Sequence, residues 1–220
     1  MKKIILSILI ALTCTVCIAQ KFKGGIIAGL ASTDVKGTDP QDVDFNKVGV
    51  TIGVFTALPI SEKSGFRMEM SFIQKGSYIP PIFKADTVAN GPDTSLKLRL
   101  HYVEIPLLYY HNFKFNVGSK TIDRFGFEIG PSIGFLVSSK VNINQMGFTP
   151  ISGTPYKSYD ISAAFGLTYR ISDNLRFHIR YENSILPIHK HPSGAMSYYN
   201  FHFNIGETNM VIAYMLSWTF

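Results

Sequence analysis

From residue 20 onward, apolar and polar positions alternate with a period of two, and no stretch carries the 3.6-residue period of an amphipathic helix. The clearest case is Leu175 to Glu182, where Leu175, Phe177, Ile179 and Tyr181 interleave with Arg176, His178, Arg180 and Glu182. Segment 159–171 sets Tyr159, Ile161, Ala163, Phe165, Leu167, Tyr169 and Ile171 against Asp160, Ser162, Ala164, Gly166, Thr168 and Arg170. Segment 124–137 sets Phe125, Phe127, Ile129, Ile133, Phe135 and Val137 against Arg124, Gly126, Glu128, Gly130, Ser132 and Gly134. The last segment carries Met210, Ile212, Tyr214, Leu216, Trp218 and Phe220 on one face and Val211, Ala213, Met215, Ser217 and Thr219 on the other. Earlier stripes are Val48, Val50, Ile52 and Val54, then Phe66, Met68, Met70 and Phe72 opposite Arg67, Glu69 and Ser71. A glycine-rich segment at about 22–33 and the segment 96–113 complete a set of eight predicted strands.

Segment 96–113 changes phase. Leu98, Leu100 and Tyr102 share one parity, Ile105, Leu107 and Tyr109 the other, and Pro106 lies just past the switch. A β-bulge between about 101 and 105 reconciles the two and predicts that Arg99 and Glu104 turn to the same interior.

The links alternate as well. Residues 61–65, 116–121 and 172–174 are short and turn-rich, whereas roughly 34–46, 79–95, 140–156 and 187–205 are long and polar. Strict alternation of short and long links is the pattern of an outer-membrane barrel with short periplasmic turns and long extracellular loops. The stripes fit that reading, an all-β, eight-stranded antiparallel transmembrane β-barrel. A soluble ligand-binding barrel puts its bulky apolar stripe inside. Here the opposite stripe mixes charges with Gly, Ala and Ser, which suits a narrow polar lumen. The predicted lumen charges are Arg67, Glu69, Arg99, Glu104, Arg124, Glu128, Asp160, Arg170, Arg176, Arg180 and Glu182. Their signs nearly balance, as a water-poor interior requires.

Composition narrows the picture. The 220 residues are 46% hydrophobic, 13% aromatic and only 16% charged, below the ~25% charged share of an ordinary soluble domain. The net charge is +6, but the basic residues are not clustered and no recognition helix is visible, so no nucleic-acid partner is expected. Lys2 and Lys3, the apolar run Ile4 to Ile18 and the small residues Cys17 and Ala19 predict a signal peptide over 1–19, with the barrel occupying 20–220. Both cysteines, Cys14 and Cys17, fall in that segment, leaving no disulfide for the exported chain.

Tyr102-Val103-Glu104-Ile105-Pro106-Leu107-Leu108 resembles the Tyr-hydrophobic-Glu-Ile-Pro-Leu-Leu signature of the PorT-type outer-membrane β-barrel proteins of the Bacteroidetes. The resemblance implies an outer-membrane barrel of about eight strands. The family's namesake is associated with secretion of cell-surface proteins. It implies no catalytic residue.

Candidate chemistry is sparse. His189 and His191, with His202 in the same presumed loop, are the best metal-like cluster; two imidazoles two apart can approach one ion, but a third and fourth ligand must be assumed, and solvated loop histidines are the simpler reading. Asp34, Asp39, Asp42 and Asp44 lack the glycine and terminal Glu of an EF-hand loop and read as surface charge. Neither His178 nor His101, both expected inside, has an activated serine beside it, and no Gly-x-Ser-x-Gly elbow exists. No cofactor is expected. Three functional readings follow: a non-enzymatic barrel acting through its extracellular loops in envelope structure or as an accessory of surface-protein export; an outer-membrane lipid or lipopolysaccharide hydrolase; and a soluble ligand-binding barrel. The expected partners of the first are outer-membrane lipid and lipopolysaccharide, the barrel-insertion machinery during biogenesis, and an envelope or secretion protein. Tyr214, Trp218 and Phe220 are expected to supply an aromatic girdle and assembly signal on the last strand.

Overall fold

The computed structural model describes residues 22–36, 45–79, 95–117, 120–143, 146–151, 156–189 and 206–220. The predicted signal peptide lies outside the described residues. The predicted strands form as β1 (Lys23–Lys36), β2 (Lys47–Pro59), β3 (Ser64–Lys75), β4 (Leu96–Asn112), β5 (Phe125–Ile143), β6 (Tyr159–Arg170), β7 (Leu175–Ser184) and β8 (Thr208–Thr219). Each pairs antiparallel with its neighbour in sequence, and β1 pairs with β8. The sheet therefore closes on itself as an eight-stranded up-and-down barrel with no free edge. Short additions, Tyr78–Ile79 and Thr149–Pro150, extend the flanks of β4 and β5. A small hairpin, Phe115–Val117 with Lys120–Ile122, joins those two strands at the opposite, short-turn end.

Burial is inverted relative to a soluble domain. Leu30 and Ile52 on the outer face are 55% and 61% exposed, while Lys75 and Glu128 are fully buried inside. In water such a surface would expose apolar side chains of every strand as one continuous patch, which soluble monomers avoid.

The β-bulge lies where the sequence places it, but on the partner strand. His101 faces Ser138 and Tyr102 faces Leu136, so the extra residue is Val137 of β5. β4 itself keeps one parity: Leu98, Leu100, Tyr102, Glu104 and Leu108 are all buried inside. The apparent phase switch is a change in the chemistry of the lumen. Toward the long-loop end, Val35, Ile73, Leu98, Leu100, Ile188 and Val211 close it with apolar side chains. Arg99 and His101 consequently point outward, contrary to expectation: the Arg99 guanidinium lies over the Phe148 ring, and His101 packs edge-on against Phe72. At Pro106, which has no N–H, the β3–β4 ladder is interrupted between the Met68–Leu107 and Ser71–Glu104 pairs.

Candidate functional site in the barrel lumen

Inward-pointing side chains from alternate positions of β3 to β8 meet on the axis in two ionic tiers. The lower tier, nearer the short turns, joins Arg67 and Glu69 of β3, Glu128 of β5, and His178 and Arg180 of β7. Arg180 grips Glu69 with both terminal nitrogens at 2.8 Å, and its Nε donates to Glu128 Oε1 at 2.7 Å. Arg67 pairs with Glu69 Oε1 through Nε at 2.8 Å and with Glu128 Oε2 through Nη2. Two guanidiniums thus face two carboxylates, and the Arg180–Glu69 pair has the forked geometry that is the strongest available to such ions. Gly166 on β6 makes room for it, because a Cβ there would come within 3.0 Å of Glu128 Oε1.

The upper tier is built differently. Lys75 of β3 lies 2.5 Å from Glu104 of β4, 3.3 Å from Asp160 of β6 and 3.7 Å from Glu182 of β7. One ammonium serves three carboxylates. Asn209 of β8 donates to Asp160 Oδ2 at 2.8 Å, and the Lys75 ammonium sits 5.4 Å from the centre of the Tyr102 ring. Gly134 of β5 leaves the space that Glu104 fills, with a Cβ there reaching 3.2 Å from Glu104 Oε1.

Of the eleven expected lumen charges, Arg67, Glu69, Glu104, Glu128, Asp160, Arg180 and Glu182 are brought together in these tiers. Arg176 and Arg170 lie lower, around a cavity of about 220 Å³ that opens at the short-turn end. Arg176 donates to Asn112 Oδ1 at 2.6 Å and Thr168 Oγ1 at 3.0 Å. Arg170 pairs with Asp123 at 2.5 Å on the rim, and its hydrogen bond holds that exposed carboxyl below its ordinary value. Arg124 is not in the lumen: it precedes β5, in the link, and is exposed to solvent. Alternation loses its meaning once the strand ends, and the ladder with β6 begins only at Phe125. Arg99 is outside for the reason given above. Lys75 and Asn209 are the participants that the stripes do not name.

One contact resembles a hydrolytic triad. His178 Nε2 is 2.8 Å from Ser217 Oγ, and its Nδ1 is 3.2 Å from Glu128 Oε2. However, Arg67 Nη2, which can only donate, also approaches Nδ1 at 3.3 Å. Nδ1 thus sits between a carboxylate that can only accept and a guanidinium that can only donate, which ties the ring into the ion cluster. Glu128 is meanwhile held by both guanidiniums. The set is organised as a polar core.

Outside the lumen, His189 Nδ1 lies 3.3 Å from Glu207 Oε1, while His191 and His202 fall outside the described residues, as do Asp39, Asp42 and Asp44. Asp34 Oδ1 accepts from the Val35 N–H at 2.9 Å. Aromatic rings gather on the outer face near the short turns, where Phe66 meets Tyr109 at 5.8 Å and Phe125 meets Tyr169 at 5.1 Å between centroids. Trp218 and Phe220 also face outward at this end. Tyr214 does not join them: it sits halfway along β8, between Leu30 and Ile179.

Solved structures with a similar course of chain include Ail, the attachment invasion locus protein of Yersinia pestis. It is 9% identical, covers 91% of this chain and 99% of its own, and gives a TM-score of 0.44. Neisserial surface protein A is 12% identical over 91% of this chain and 97% of its own, with a TM-score of 0.41. The outer membrane protein OprG from Pseudomonas aeruginosa is 12% identical over 90% and 94%, with a TM-score of 0.32. No curated protein matches the chain. The sequence pattern of the outer membrane protein beta-barrel domain family matches residues 18–190; the chain belongs to that family, and the closed barrel with its apolar exterior is an outer-membrane protein.

Proposed function

We propose that this is a non-enzymatic barrel whose lumen is a structural core and whose work is done by its long extracellular loops, in envelope structure or as an accessory of surface-protein export. The observation that supports it most is the lumen itself: two ionic tiers and an apolar cap occupy the cross-section of an eight-stranded barrel, whose interior is only wide enough for side chains. A diffusion path finds no room there. The triad-like contact has its carboxylate, Glu128, engaged by two guanidiniums. The secretion role adds the resemblance of Tyr102 to Leu108 to the PorT-type proteins. The partners of this reading are lipid and lipopolysaccharide around the wall, the insertion machinery during assembly, and an envelope or secretion protein at the loops.

The test is crosslinking in intact cells, comparing the parent with a variant whose links 80–94 and 190–205 are replaced by short Gly-Ser turns. The expected result is a folded variant that loses the parent's crosslinked protein partner. A variant that keeps the partner, or a parent that gives discrete conductance steps in planar bilayers, contradicts the proposal.

A further inference from the structure

Beyond the bulge, β4 and β5 change character on their outer faces. Below it, β4 presents Val103, Ile105 and Leu107, and β5 presents Ile133, Phe135 and Val137. Above it, β4 presents His101, Arg99 and Lys97, and β5 presents Lys140 and Asn142. The apolar band therefore stops at the same level on both strands and is followed at once by cations. On the wall of an outer-membrane barrel, such a change from apolar to cationic side chains fits the edge of the apolar band, which is ~25 Å tall in such barrels.

Four features make this more than a polar rim. Arg99 stands directly opposite Lys140, a like-charge pair that destabilises a sheet unless an anion lies between. Among the described residues, no carboxylate forms an ion pair with Lys97, Arg99 or Lys140. Aromatic rings orient two of these cations: the Arg99 guanidinium centre lies 3.6 Å from the Phe148 centroid, and Lys97 Nζ lies 5.5 Å from that of Tyr78. A stacked guanidinium keeps its in-plane N–H groups free for an oxyanion. Tyr78, Lys97, Asn142 and Phe148 also line a cavity of about 370 Å³, a hollow for a ring-sized group beside the cations.

We propose that this outward hollow, walled by Tyr78, Lys97 and Phe148, together with the adjoining Arg99–Lys140 pair, binds a phosphorylated sugar of the lipopolysaccharide head group. The phosphate bridges Arg99 and Lys140, and the sugar ring rests against the aromatic faces. The proposal depends on the outer-membrane location and not on the loop-based function above, so each can fail alone.

The test uses the full-length barrel in detergent, following its heat-unfolding midpoint by gel mobility. Purified bisphosphorylated lipid A is added, with dephosphorylated lipid A and inorganic phosphate as separate arms. Bisphosphorylated lipid A is expected to raise the midpoint of the parent, and the other two are not. The variant K97Q/R99Q/K140Q should fold, since these side chains lie outside the barrel. It should need on the order of a hundredfold more lipid A for the same rise, each head-group-level cation contributing about fivefold. R99K/K140R, which keeps the charges, should respond within about tenfold of the parent. An undiminished response in the triple Gln variant overturns the site, as does a parent insensitive to bisphosphorylated lipid A. An equal response to dephosphorylated lipid A removes the phosphate, and an equal response to inorganic phosphate removes the lipid; either overturns the proposal.

Discussion

The two tiers of the lumen solve the same problem by opposite means. Below, two guanidiniums and two carboxylates share their charges through several short contacts, so each ion keeps a partner if one neighbour is lost. Above, Glu104, Asp160 and Glu182 all depend on the Lys75 ammonium. A lysine is a point charge on a flexible stem and can face three directions at once, whereas arginine is a planar fork that suits one plane of acceptors. The lower tier is redundant, and among the described residues the upper one has Lys75 as its single cation.

Removing that residue should have the largest effect. Lys75→Met should cost at least the ~3–5 kcal/mol of a broken buried pair, because three carboxylates are left without their cation. The expected readout is little or no heat-modifiable, folded protein in outer-membrane fractions. Arg180→Ala comes next, with a loss of about 3–5 kcal/mol in detergent; Glu69 and Glu128 each retain Arg67, so this variant should still assemble. If it proves as damaging as Lys75→Met, the redundancy of the lower tier is refuted.

Ser217→Ala should be milder. It removes the partner of His178 Nε2 and should cost about 0.5–1.5 kcal/mol, the worth of one hydrogen bond. Lipid A from cells carrying it should be unchanged; an altered acylation pattern would instead support the hydrolase reading. Arg170→Ala, at the wet rim with Asp123, should leave the unfolding midpoint where it is, since exposed pairs add little.

Much of this architecture was legible in the alternation. A period of two assigns each side chain to a wall face, and the sign of that assignment follows from where the charges sit. The alternating link lengths then fix which strands are neighbours. Legibility ended where a strand's chemistry changed without its geometry changing. Leu98, Leu100 and Tyr102 look like an outer stripe, yet they cap the lumen, because that part of the interior is apolar. Arg99 was misplaced with them. Lys75 shares the parity of Arg67 and Glu69, but the Gly76 and Ser77 that follow read as loop and hide the strand's last inward position. No local pattern could reveal that Lys75 meets Glu104, Asp160 and Glu182, because those contacts exist only once the sheet has closed.

The claim that the lumen charges form a coupled structural core is tested most directly by a double-mutant cycle on Glu69 and Arg180. Unfolding midpoints are compared for the parent, Glu69→Met, Arg180→Met and the double variant. The double variant should be more stable than Arg180→Met alone, because Glu128 then has the Arg67 guanidinium to itself, whereas in Arg180→Met two buried carboxylates share that one cation. Purely additive losses, or four indistinguishable midpoints, would contradict the account.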